Sequence, residues 1–255
     1  MKLNFKKSGQ GRPLIILHGL FGMLDNWSTM SKAFEEQGFM VYNVDQRNHG
    51  RSPHSYDFNY RIMADDLLEL MNDEGLEKAD LIGHSMGAKT VMFFSLMNPA
   101  RVNKMIAVDM APRYYAPHHQ SVFAALHSVE VEKIKTRKEA EEKLRETLRE
   151  ESTIQFLLKN IYWIDDKNLR WRFGLAEIEK NIEEIGKAFP SDKTVNVQAL
   201  FIRGERSGYI NADDERDIKK IFPNSEVKTV MNAGHWVHAE NPKGFLDASL
   251  DFLTR

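Results

Sequence analysis

The sequence predicts an α/β fold, a mostly parallel sheet flanked by helices and interrupted by a helical insertion. Three observations predict it. Short apolar runs alternate with amphipathic segments up to Asp109, the alternation stops between Pro112 and Pro190, and it resumes from Val197 onward. The runs Pro13–His18, Met40–Asp45, Ala79–Gly83 and Lys104–Asp109 are rich in Val, Ile and Leu without strict alternation. Strands buried on both faces read this way. Helices are predicted at Asn26–Gln37, Tyr60–Asn72 and Met86–Met97, with Gly38 and Pro99 as stops. After the interruption come a strand at Val197–Arg203, a helix at Asp213–Phe222, a strand at Glu226–Met231 and a helix at Pro242–Leu253.

No segment of the interruption reads as a strand. Glu130 to Glu151 is dense in Glu, Lys and Arg, with Ile134, Leu144 and Leu148 interspersed, which is the pattern of a solvated helical face carrying i,i+4 ion pairs. The aromatic and aliphatic stretch Ile154–Trp163 follows. Helices inserted between strands of a sheet read as a cap, so the expected division is a core of residues 1–111 and 191–255 with a helical cap at 112–190. No repeat, low-complexity tract or linker divides the chain further.

Composition narrows the chemistry. The 255 residues carry 35 Lys+Arg against 37 Asp+Glu, a formal net charge of −2. This offers no footprint for nucleic acid or an anionic membrane. With 42% apolar residues the chain can build a sizeable core. No run approaches the ~18 consecutive apolar residues of a membrane span. The basic N-terminus is followed only by Leu14–Leu17 before His18 and Gly19 intervene, too short for the apolar region of a signal peptide, so a cytoplasmic location is expected. There is no cysteine, which removes disulfides, thiolate zinc sites and thiol nucleophiles. Chemistry falls to Ser, His, carboxylates or a cofactor.

Gly83-His84-Ser85-Met86-Gly87 is a G-x-S-x-G motif between an apolar run and a helical stretch. A nucleophile elbow needs this setting: the serine occupies a strained strand-to-helix turn, and the flanking glycines let the backbone pass without Cβ clashes. The following helix offers its positive end to developing negative charge. His18-Gly19-Leu20-Phe21-Gly22, the loop Asp45 to Ser52 of the form D-x-R-x-x-G-x-S, and Gly234-His235-Trp236-Val237-His238-Ala239-Glu240 accompany it. Together these motifs resemble the α/β-hydrolase superfamily over nearly the whole chain. More narrowly, H-G-L-F-G, D-x-R-N-H-G, G-H-S-M-G, D-M-A-P and G-H-W-V-H-A-E resemble the esterase family of bacterial YbfF and the mitochondrial abhydrolase-domain-containing esterases.

His235, after the last predicted strand and before the C-terminal helix, is the candidate general base, in the chain order Ser…acid…His of that superfamily. An imidazole with an unperturbed pKa near 6.5 can take the serine proton and return it to a leaving group. His238, three residues on, is the nearest rival. His84 and His18 read as structural, and His118 and His119, near the start of the insertion, as exposed residues or as the lining of an entrance.

The acid departs from the pattern that the resemblance implies. In many α/β-hydrolases it follows the strand corresponding to Val197–Arg203, but here Gly204-Glu205-Arg206-Ser207-Gly208 puts serine where aspartate is expected. Asp109 ends the strand Lys104–Val108 and should emerge at the same sheet edge as Ser85. The resembling esterases also use an aspartate at this motif. Glu205, read as an exposed ion pair with Arg206, and Asp213 or Asp214, read as helix N-terminal residues, stay open as alternatives.

Backbone N–H groups of Leu20 and Met86 are the expected oxyanion-hole donors, with Phe21 as a substitute for the first. Asp45 and Arg47 read as structural. Trp163, Tyr162, Phe156 and Trp236 are available for an apolar pocket. The resemblance implies a serine carboxylesterase that acts on a small-molecule ester or thioester of small-to-medium acyl size, with no metal and no cofactor. The alternatives are a C–C bond hydrolase or lyase on the same fold, and a non-catalytic ligand-binding receptor.

Overall fold

The computed structural model of the protein describes residues 1–165, 168–190 and 192–255. Its strands are β1 (Phe5–Gly9), β2 (Arg12–Leu17), β3 (Phe39–Val44), β4 (Ala79–His84), β5 (Val102–Val108), β6 (Ile161–Trp163), β7 (Leu169–Trp171), β8 (Gln198–Gly204) and β9 (Ser225–Val230). Its helices are α1 (Ser28–Glu35), α2 (Tyr60–Asp73), α3 (Met86–Met97), α4 (Gln120–Ser128), α5 (Arg137–Thr147), α6 (Glu151–Leu158), α7 (Leu175–Lys180), α8 (Ile182–Gly186), α9 (Ala212–Ile221), α10 (Val237–Glu240) and α11 (Pro242–Thr254).

Seven strands form one sheet in the order β1-β3-β2-β4-β5-β8-β9, parallel throughout except for β1. Side chains of β2, β4, β5 and β8 alternate between two buried layers. Leu17, Leu81, Met105 and Phe201 pack against α2, α3 and α9 through Leu67, Val91 and Ile218. Leu14, Ile82, Ile106 and Ile202 pack with α1 and α11 through Phe34, Phe245 and Phe252. That two-sided burial is why these strands lack a polar alternation.

Register fixes the site. His84 pairs with Val108 across β4–β5, and Val108 pairs with Ile202 across β5–β8. Ser85 and Asp109 therefore leave neighbouring strands at one level, tied down by Ser85 N–H to Val108 O (3.0 Å) and Asp109 N–H to Ile202 O (2.7 Å). β9 ends at Val230, and the loop that follows carries His235 over the same edge.

Two expectations are corrected. The N-terminal segment holds an edge strand, β1, which the apolar-run criterion passes over because Lys6 and Lys7 are exposed on it. The insertion between β5 and β8 is not purely helical either. Besides α4 to α8 it contains the antiparallel hairpin β6–β7, whose three-residue strands are too short to show a period. The insertion buries Phe123, Leu126, Leu144, Ile154 and Leu157 in one cluster with Phe21 and Met86 of the core, so it roofs the turn at Ser85. The charged run forms α5, which buries only Ala140 and Leu144. Among the described residues no helix is long and apolar enough to cross a membrane.

Candidate active site

Ser85 sits at φ 54° and ψ −116°, a conformation costly for a residue with a Cβ, at the junction of β4 and α3. The flanking glycines make the turn feasible. A methyl group on Gly83 would lie 2.1 Å from the Gly87 carbonyl oxygen, and one on Gly87 would lie 2.5 Å from the Leu17 carbonyl oxygen. Sharp turning at this point aims the first N–H groups of α3, which have no acceptor within the helix, at the space above Ser85.

Asp109 is fully buried and also has positive φ, 51°. Three donors hold its carboxylate: the His235 ring at 2.8 Å, the Gly204 N–H at 3.1 Å and the Ser207 hydroxyl at 2.5 Å. Because the carboxylate accepts from Nδ1 of His235, the proton of the neutral ring lies there and Nε2 keeps its lone pair. The Tyr209 ring stacks on His235 at 3.9 Å, and the His84 ring donates from Nε2 to the His235 carbonyl oxygen at 2.8 Å. The imidazole is thus held by its ring nitrogen, its face and its backbone. Ser85 and His235 line one cavity of about 980 Å³. Among the described residues the His235 ring hydrogen-bonds to Asp109 and not to the Ser85 hydroxyl.

The loop after β2 is fixed by two histidines. His18 donates from Nδ1 to the Gly19 carbonyl oxygen (2.7 Å) and accepts the Gln46 N–H at Nε2 (3.0 Å). The Gly22 N–H donates to the same Gly19 oxygen at 3.0 Å. In a trans peptide, pinning that oxygen points the Leu20 N–H the opposite way. Gly19 is close enough to Ser85 that a methyl on it would lie 3.2 Å from Ser85 Cβ. His49 donates from Nδ1 to the Arg47 carbonyl oxygen (2.9 Å) and accepts the Phe21 N–H at 3.1 Å. The Phe21 N–H is therefore occupied by His49. Burial pushes His18 down to about 4, and His49 down to about 3 with the nearby His18 adding to the effect. Both imidazoles are neutral at pH 7, as their acceptor roles require.

The rivals go elsewhere. His238 is buried, stacked on Trp27 at 4.0 Å, and pushed down to about 3 by burial and by His235. Glu205 accepts the Asn232 N–H at 2.8 Å, while Arg206 pairs with Glu240 rather than with Glu205, correcting the expected neighbouring pair. Asp214 caps α9 and binds Arg113, and Asp213 faces solvent beside Arg216. Asp45 accepts the Leu24 and Arg51 N–H groups, and Arg47 forms a buried two-pronged pair with Asp66. His118 and His119 both line the cavity, and burial lowers His119 to about 4. Of the four aromatic candidates, Phe156 and Trp236 line it too. Tyr162 and Trp163 instead border a separate surface groove with Trp163 47% exposed, so these two are corrected as pocket residues. The contacts of Ser207 with Asp109, of Tyr209 with His235 and of His49 with Phe21 escaped the sequence reading, since each partner is remote in the chain.

A serine on a strained strand-to-helix turn, beside a histidine bound to a buried aspartate at the carboxyl edge of a parallel sheet, defines a hydrolase scaffold. Residues 12–242 match the family model described as alpha/beta hydrolase fold, and the chain belongs to that family. It is similar to the Escherichia coli protein named esterase YbfF, at 35% identity over 99% of each chain. It is also similar to the mouse protein named sn-1-specific diacylglycerol lipase ABHD11, at 37% identity over 94% of this chain and 80% of that one. A solved structure described as a marine microorganism esterase superimposes with a TM-score of 0.95, at 44% identity over 98% of this chain and 99% of that one.

Proposed function

We propose that this chain, an ester hydrolase of the α/β-hydrolase family, is a serine carboxylesterase working through Ser85, His235 and Asp109 and an acyl-enzyme. The observation that carries the reading is the 2.8 Å bond from His235 Nδ1 to buried Asp109 beside the strained Ser85. His235 Nε2 takes the Ser85 proton as Oγ attacks the ester carbonyl carbon, and the carbonyl oxygen becomes an oxyanion between the N–H groups of Leu20 and Met86. The imidazolium then returns that proton to the departing alkoxide or thiolate. Water repeats the sequence on the acyl-enzyme and releases the acid. Asp109 stays ionised throughout, orienting the ring and stabilising its cationic form. The substrate is a small-molecule ester or thioester, and the residues need neither metal nor organic cofactor for these steps. The helical segment 112–190 serves as a cap over the site, and a cytoplasmic location fits the sequence.

Intact-mass analysis after exposure to a fluorophosphonate tests the reading. One adduct per chain is expected, lost in Ser85→Ala, together with turnover of p-nitrophenyl acetate by the wild type alone. A folded wild type that takes no adduct and turns over no ester contradicts it.

A further inference from the structure

His235, the proposed base, lies at the end of a column of stacked groups. The Arg113 guanidinium covers the Tyr115 ring at 4.0 Å, Tyr115 stacks on Tyr209 at 5.4 Å with 23° between the planes, and Tyr209 stacks on His235 at 3.9 Å with 20°. Arg113 and Tyr115 follow Asp109 at the end of β5, and Tyr209 belongs to the loop after β8, so the column forms because these two strands are neighbours.

Polar contacts fix Tyr209 within the column. The Tyr115 hydroxyl accepts the Ala111 N–H at 2.8 Å and donates to the Tyr209 carbonyl oxygen at 2.5 Å, and the Tyr209 N–H donates to Ser207 Oγ at 3.2 Å. The Tyr209 hydroxyl engages Nε2 of His118 at 3.1 Å, and it is the ring face that meets His235.

We infer that Tyr209 is a positioning residue for the proposed base: its ring face holds the His235 plane against Asp109 and favours the imidazolium that forms in each half of the reaction. The inference rests on the serine esterase reading above. Its physical reason is the quadrupole of the phenol ring, whose negative face attracts a cation stacked on it more strongly than a neutral ring. In that reading His235 is neutral before attack and cationic while the tetrahedral intermediate lasts. The contact therefore strengthens as the barrier is climbed, which is the condition for an interaction to raise kcat.

The titratable groups that surround the imidazole do not oppose its charge. Asp109 supplies an anion at 2.8 Å. His84, whose ring lies 4.8 Å away and tilted, is held well below the usual range by burial, and burial likewise takes His119 down to about 4 and His238 to about 3, so all three are neutral at pH 7. Arg206 and Glu240, which line the same cavity, form an ion pair at 3.1 Å. Arg113, at the far end of the column, is paired with Asp214 at 3.0 Å.

The test compares the wild type with Tyr209→Phe, Tyr209→Leu and, should the leucine variant fail to fold, Tyr209→Met, in p-nitrophenyl acetate hydrolysis across pH 5 to 8 and in the rate of fluorophosphonate labelling. Loss of the ring face is expected to lower kcat about 3- to 30-fold at nearly constant KM, the scale of a cation on an aromatic face, and to slow labelling by a similar factor. It is also expected to move the acid limb of kcat/KM to lower pH by about 0.5 to 1.5 units, since the same preference for the imidazolium is removed. Tyr209→Phe, which keeps the face, is expected to stay within about twofold of the wild type with its limb in place. An unmoved limb in the leucine variant overturns the inference, whatever happens to kcat. So does a phenylalanine variant as slow as the leucine one, which would assign the effect to the hydroxyl, or a rise in KM at constant kcat, which would make Tyr209 a wall of the cavity alone. In these cases the wild type still labels and turns over ester, and the esterase reading stands; a folded wild type that does neither overturns both.

Discussion

The sheet edge that carries Ser85, Asp109 and His235 and the insertion that roofs it are built differently. At the edge, nearly every turn is pinned by a buried polar contact: Asp109 by three donors, the loop after β2 by His18 and His49, and the His235 backbone by His84. In the outer part of the insertion, α5 touches the rest through Ala140 and Leu144, and its charges pair in solvent, Arg145 with Glu141 and Glu151. Geometry that chemistry depends on is held by satisfied polar groups in a dry setting. The outer part of the insertion at α5 buries apolar side chains instead, and such contact tolerates substitution better.

The sharpest way to break that contrast is at Ser85, the proposed nucleophile. Ser85→Ala is expected to lower kcat by on the order of 10⁵- to 10⁶-fold with little change in Tm. Ser85→Gly is expected to be equally inactive but more stable by about 1 kcal/mol, because glycine relieves the positive φ. Urea unfolding of both variants checks this, and a less stable Ser85→Gly would mean that the turn stores no strain.

The next largest effect is expected at His49, which touches no substrate atom. His49→Ala removes the acceptor of the Phe21 N–H next to Leu20, and kcat should fall roughly 10- to 100-fold with KM nearly constant. His49→Gln, which retains an acceptor, should recover part of the loss. A parallel rise in KM in both variants would assign His49 to packing alone.

Acid should weaken the pinned edge before the roof. His18, His49 and His238 are neutral in the fold and depressed to about 4, 3 and 3, chiefly by burial. In the unfolded chain they protonate below about pH 6.5, so their stabilising contribution is complete above that pH and is lost as pH falls toward the folded values. Three such groups give a loss on the order of 4 kcal/mol per pH unit between pH 6 and 5. Denaturation at pH 7.5, 6.5 and 5.5 reads the slope, and a flat profile would show that the imidazoles take up protons without unfolding. At the small end, Arg145→Ala on exposed α5 should change Tm by no more than about 1 °C and leave kcat unaltered, since surface pairs contribute little.

What could be read from the sequence follows the same division. β2, β4, β5 and β8 were legible because burial on both faces leaves continuous apolar runs, and Ser85 because a strained turn demands glycines at fixed spacing. β1, with Lys6 and Lys7 in solvent, and the short β6–β7 hairpin leave no such trace. Asp109 could be nominated from its place at a strand end. Ser207, standing where the superfamily commonly has its acid, showed only that something had moved, and its donation to Asp109 depends on β5 and β8 being neighbours. His49 and Tyr209 act across folded contacts that no local pattern encodes.

The central claim is that the acid has its place at the end of β5 rather than after β8, and comparing the acylation rates of Asp109→Asn and Glu205→Gln with p-nitrophenyl acetate tests it most directly. The account predicts a fall of about 10⁴-fold for Asp109→Asn, the scale of a triad acid lost, and a change within about threefold for Glu205→Gln. A near-normal Asp109→Asn alongside a collapsed Glu205→Gln would contradict it.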